Sequence, residues 1–133
     1  MALVTRATTP SVETGSAQRA PQVLGIALSD IDAGAPCYID GSTAKIAMCN
    51  ATAANALAIP AGVAARSALA GEPVTLYGAG SIWHYSDADL TAGAILYIGA
   101  TAGRLDTAAT TGDAVGYAQV MPDKRTIRIT RHV

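Results

Sequence analysis

The chain has 133 residues, half of them hydrophobic but only 5% aromatic, with no Phe, one Trp, 29 Ala and 14 Thr. Nine basic and ten acidic residues give a net charge of −1, and the charged fraction of 14% argues against a general nucleic-acid or membrane-surface binder. The length suits one compact domain, and no apolar run approaches the ~18 residues that span a bilayer.

The first 20 residues are rich in Thr, Ser, Ala and Gln and lack both helical and strand periodicity, so they read as an extended arm, ordered only where it lies on something. They also lack the uninterrupted apolar stretch of a secretory signal, and synthesis in the cytoplasm is expected. Residues 21–133 read as a single β-rich domain. From Pro21 onward glycines recur at intervals that suit short strands and turns.

Between them lie β-branched and aromatic runs at Gln22 to Leu28, Pro36 to Ile39, Lys45 to Cys49, Pro73 to Tyr77, Ser81 to Tyr85, Ala94 to Ile98, Ala114 to Val120 and Thr126 to Thr130. In the last run the isoleucines face one side and the polar groups the other, the period of a half-buried strand. Only Asn50 to Leu57 has local helix content, and a loop fits it equally well.

A repeat underlies the punctuation. Gly25 to Gly41 aligns without gaps on Gly62 to Gly78 as G-x-A-x5-A-G-x-P-x4-G, at an offset of 37 residues. Thr91 to Gly99 echoes the second half of that unit and Val115 to Ala118 the first. The unit reads as strand, Ala-Gly turn, strand, Gly turn. An all-β small barrel or sandwich of short antiparallel strands, assembled from similar hairpins, is the expected fold.

Residues able to carry chemistry are sparse. His84 and His132 have no companion at metal-ligand spacing, and no G-x-S-x-G turn accompanies them. Asp30-x-Asp32 and Asp87-x-Asp89 precede Ala-Gly turns and lack the further oxygen ligands of a calcium loop, so they read as turn caps. Gly78-x-Gly80 and Gly99-x3-Gly103 read as hairpin turns without a phosphate-binding helix. Cys37 and Cys49 read as small buried thiols; a hairpin in the simplest register would set them opposite or nearly opposite each other, which leaves a cross-strand disulfide open. No catalytic residue, metal or cofactor is expected. The C-terminal Lys124, Arg125, Arg128 and Arg131 carry +4 while residues 20–123 carry −6, so a solvated strand face and contact with an acidic protein partner are both open.

The order of a Thr-rich arm, GIALSDIDAGAP, AGVAARSALAGEPVTLYGAG, LTAGAILYIGATAGRL and DAVGYAQV resembles the small head-decoration, or capsid cement, proteins of tailed bacteriophages, over about residues 20 to 130. The resemblance implies a non-enzymatic virion protein that binds the outer surface of the assembled capsid and stabilises it against internal DNA pressure. It further implies the major capsid protein as partner, and a homo-oligomer, favouring a trimer with a dimer as the alternative. Leu3, Val4 and Arg6 in the arm, Trp83 and Tyr85 as exposed large side chains, and Arg128 and Arg131 are the candidate capsid- or subunit-contacting residues. The competing function is a carbohydrate- or receptor-binding β-domain of a tail or fibre, in which surface Trp and Tyr would form a stacking platform.

Overall fold

Period-two alternation becomes strand wherever a neighbour supplies the ladder. The computed structural model describes residues 3–4, 22–51, 60–109 and 116–130. They contain β1 (Gln22–Ile26), β2 (Pro36–Ile39), β3 (Ile46–Met48), β4 (Gly62–Ala64), β5 (Pro73–Tyr77), β6 (Ile82–His84), β7 (Ile95–Ile98), β8 (Leu105–Asp106), β9 (Ala118–Val120) and β10 (Thr126–Ile129), and no helix. Two antiparallel five-stranded sheets result, in the orders β1-β5-β4-β2-β3 and β6-β10-β9-β7-β8. All eight expected runs hold a strand, with ends trimmed by a residue or more at most of them. Of the segment Asn50 to Leu57, read as helix or loop, residues 52–57 lie outside the described residues.

The two copies of the 37-residue repeat interlock, and the expected pairing of strands within a unit holds in one copy only: β4 pairs β5 in the second, whereas β1 and β2 of the first do not pair. Across the copies β1 pairs β5, and β4 pairs β2. Ala27 donates its amide to Glu72 O at 2.9 Å and accepts from Gly71 N at 2.8 Å. Thirty-seven residues on, Ala64 donates to Ala35 O at 2.9 Å and accepts from Gly34 N at 2.8 Å. At the centre Ile31 and Ala68, which hold the same position in the two copies, exchange both amide hydrogen bonds, at 2.8 and 2.9 Å. Such reciprocity defines a local two-fold axis. Side chains obey it too: Asp30 Oδ1 accepts Ala70 N at 3.0 Å, and its counterpart Ser67 Oγ accepts Ala33 N at 3.2 Å. Asp30 therefore caps the turn of the other copy and not its own. Each turn needs one left-handed residue, Gly34 (φ 78°) or Gly71 (φ 88°), which glycine adopts without a Cβ clash.

The first sheet also curls back on itself. Ala27 forms a parallel bridge with Ile46, and Leu28 donates to Ile46 O at 2.8 Å, which ties β1 to β3 at the far edge. Five strands enclose little space. The inner face is accordingly lined by Ala27, Ala35, Ala64 and Ala68 around Ile31, Ile46, Val74 and Leu76. The alanine content that looks thin as a core composition is what so tight a curl admits.

The opposite face of that sheet joins the larger core. Tyr38, Ala47, Cys49 and Val63 pack with Trp83, Tyr85, Leu96, Ile98, Leu105, Ile127 and Ile129 of the second sheet. Trp83 and Tyr85 meet edge to face with ring centroids 6.2 Å apart, and the Tyr85 hydroxyl accepts Leu105 N at 3.1 Å. Register also decides the cysteines. Cys37 stands opposite Met48, and Cys49 N donates to Pro36 O, so the two thiols sit one position apart in the ladder. Cys37 points into the curled sheet and Cys49 into the larger core, on opposite faces, and they form no disulfide. The two are nearly opposite in register and both are small buried thiols, as expected, and the one-residue offset is what sends them to different faces and excludes the bond between them.

Candidate interaction surface

Of the residues proposed as contacts, Trp83 and Tyr85 are not surface groups. Both are fully buried, which corrects the expectation of exposed large side chains on β6. The run Ser81-Ile82-Trp83-His84-Tyr85 carries bulk on both faces, so alternation alone does not say which face is inner. Pairing does: Trp83 lies directly opposite Ile127, the inward residue of β10, and Ile82 and His84 turn outward. The available signal was composition, since a chain without Phe needs its one Trp in the core.

The start of the arm is part of the body. Val4 is buried, donates to Leu105 O at 2.9 Å and accepts from Arg104 Nη2 at 2.9 Å. Leu3 bridges Asp106 and lies over Gly99, where an added Cβ would come within 2.7 Å of its Cδ2. Val4 thus serves its own core and is not free for a capsid. Residues 3–4 cover the open edge of β8, and residues 5–21 lie outside the described residues. Arg6 and Arg131 lie outside the described residues; Arg128 is exposed on β10.

Polar side chains at the surface mostly organise turns. His84 Nε2 is 3.3 Å from Asp87 Oδ1, and Arg125 Nε donates to Asp89 Oδ1 at 3.0 Å. Among the described residues no group of three or more His, Cys, Asp and Glu side chains is placed to hold a metal ion. Asp40 accepts the hydroxyl and amide of Thr43, and Asp123 those of Thr126, and these bonds hold both carboxyls below the ordinary Asp value. Folding therefore favours the ionised form: the contribution is full above about pH 4 and is lost as pH falls through the lowered folded values. The Asp40→Asn/Asp123→Asn double variant is expected to melt slightly below the parent at neutral pH, with the gap closing in acid; a gap that is constant from pH 7 to pH 3 would contradict this.

Two features of the surface stand out. One is the outer edge of β1. Ala27 directs its amide to β5 and Leu28 directs its own to Ile46, so alternation turns the amides of Leu24 and Ile26 toward the side where no described strand pairs. Leu24 is 75% exposed and Ile26 40%, on a strand with no charge. Natural edges usually carry Lys, Pro or a bulge as protection. The other feature is a pair of open grooves on the second sheet, of about 450 and 280 Å³, both bordered by Arg128.

No protein family, curated protein or solved structure matches this chain. Among the described residues no helix is long and apolar enough to cross a membrane.

Proposed function

We propose that the protein is a capsid decoration protein of a tailed phage, binding the outer surface of the assembled head and reinforcing it without catalysing a reaction. The observation that carries this reading is the edge of β1 at Leu24 and Ile26, where no described strand pairs and both side chains are exposed, a place for another protein chain to add a strand. The order of motifs along the sequence supports the same class. Each copy contributes a modest contact, and repetition over the shell, as a trimer or a dimer at capsomer junctions, supplies avidity. The tail-fibre alternative rested on Trp83 and Tyr85 as a sugar-stacking platform, and both rings are in the core.

The arm is tested by exchange and not by truncation, because deleting residues 1–20 would also strip Leu3 and Val4 from the β8 edge. Residues 5–20 replaced by a Gly-Ser segment of equal length keep that contact. The variant is expected to retain its melting temperature and to lose co-sedimentation with heads assembled without the protein. Undiminished co-sedimentation would remove the arm from the mechanism, and failure of the parent chain to bind such heads would overturn the function.

A further inference from the structure

Arg128 is the one Lys or Arg among the described residues that lies within a strand. Arg125 is paired to Asp89, and Arg104 is spent on the carbonyl of Val4. Lys45 and Lys124 sit in or beside turns. Arg128 instead projects from the middle of β10, on the outer face of the second sheet. Its cross-strand neighbours are Gln119 on β9 and Ile82 on β6, and the residue beyond Gln119 is Ile95 on β7. A basic residue on a sheet face is commonly balanced by an acid directly opposite. Here the neighbours are an amide and two isoleucines, and the described acids of this half are engaged elsewhere: Asp87 with His84, Asp89 with Arg125, Asp106 with Ala108 N and Asp123 with Thr126.

The relief around it is concave on both sides. One groove, about 450 Å³, is walled by Ala92, Gly93, Met121 and Pro122, with Gln119 on its floor; the other, about 280 Å³, runs past Gly80 and Thr130. Gln119 Nε2 donates to Gly93 O at 3.1 Å, which fixes the amide of the floor. An arginine that borders two grooves, beside apolar neighbours, is the arrangement of an interface anchor. Its planar fork matches a carboxylate through two parallel hydrogen bonds.

We infer that the outer face of β10 and β9 is a docking groove for an extended, carboxylate-bearing segment of another protein, with Arg128 as its anchor. A nucleic-acid strand fits less well. Phosphate chains are held by several cations in succession, whereas Arg125, three residues before Arg128, is already neutralised and shares its turn with the ionised Asp123. The inference rests on the decoration reading for the identity of the partner, which is then an acidic stretch on the capsid exterior, but the groove is testable without it.

The full chain, labelled with ¹⁵N, is titrated with the peptide acetyl-Glu-Gly-Glu-Gly-Glu-amide and with its Gln counterpart. Shifts are expected to concentrate at Gly93, Gln119, Met121, Arg128 and Thr130 with the acidic peptide and to be absent with the neutral one. Arg128→Gln is expected to weaken the acidic peptide at least about fivefold, and Arg128→Lys to restore part of the loss because charge is kept and the fork is not. Equal affinity for parent and Arg128→Gln, or shifts centred on Lys45 or Arg66, would overturn the inference. Co-sedimentation of Arg128→Gln with heads separates the two claims. If the parent binds no head, the decoration reading fails while the peptide result still decides the groove; if the parent binds heads and the variant binds equally, the groove is not the capsid contact.

Discussion

Replacing Trp83 by alanine is expected to cost about 3–5 kcal/mol, the range for an aromatic removed from a packed core. The indole is fully buried between the two sheets, in edge-to-face contact with Tyr85 and opposite Ile127. No other side chain can fill the space, because the sequence has no Phe and no second Trp. Tyr85 also holds the amide of Leu105 through its hydroxyl, so a cavity at position 83 loosens the link between β6 and β8. Urea unfolding followed by far-UV circular dichroism reads the loss, and in the parent chain the single Trp should report the same transition by a red shift of its emission on unfolding. A loss below about 1 kcal/mol would place Trp83 at the surface and would restore it as a contact residue.

Gly62→Ala and Gly25→Ala are expected to differ, although the two glycines are counterparts in the repeat. At Gly62 an added Cβ would lie 2.8 Å from Tyr77 O and 2.9 Å from Leu76 Cβ, and the backbone of β5 cannot retreat without breaking the β4–β5 ladder. At Gly25 the nearest atoms are Ile46 Cδ1 at 2.6 Å and Cγ1 at 3.1 Å, the outer part of a side chain. Overpacking of the first kind costs on the order of 3 kcal/mol, partly offset by the lower entropy of the unfolded alanine chain. The second should cost no more than about 1 kcal/mol, since a rotamer change relieves it. Equal destabilisation of the two variants would mean that β4 and β1 are equally confined, contrary to the described packing.

Strand content was readable because it is written locally. The runs from Pro36 to Ile39 and Pro73 to Tyr77 are strands with those bounds, and Ile127 and Ile129 face the core while Arg128 faces out, as the alternation of that run requires. The two strands outside the predicted runs are the shortest in information. β4 is Gly-Val-Ala and β8 is Leu-Asp, too brief to show a period, although the repeat does place a strand at β4. Each is strand because of what lies beside it: β4 between β2 and β5, β8 between β7 and residues 3–4.

The candidate surface was less legible. Arg128 was readable as a basic group on a strand, but its standing among Gln119, Ile82 and two grooves depends on β9 and β6, which arrive from other parts of the chain. The β1 edge gave no sign of itself, because Gln22 to Ile26 reads the same whether it is central or at an edge. Val4 reads as part of an arm and is a core residue by virtue of Leu105, about a hundred positions away.

By itself the sequence determined that the chain is all-β, where most strands lie, and that one unit occurs twice at a spacing of 37 residues. These follow from side-chain alternation, from glycine's access to left-handed turns and from composition, all of which act over a few residues. Only the tertiary structure decided that the two units interlock about Ile31 and Ala68, that Trp83 is inside, that the cysteines face apart and that no described strand pairs β1 at Leu24 and Ile26. The reason is physical: a strand satisfies its hydrogen bonds and buries one face only through partners distant in sequence, and a shift of one residue in that pairing exchanges inside for outside.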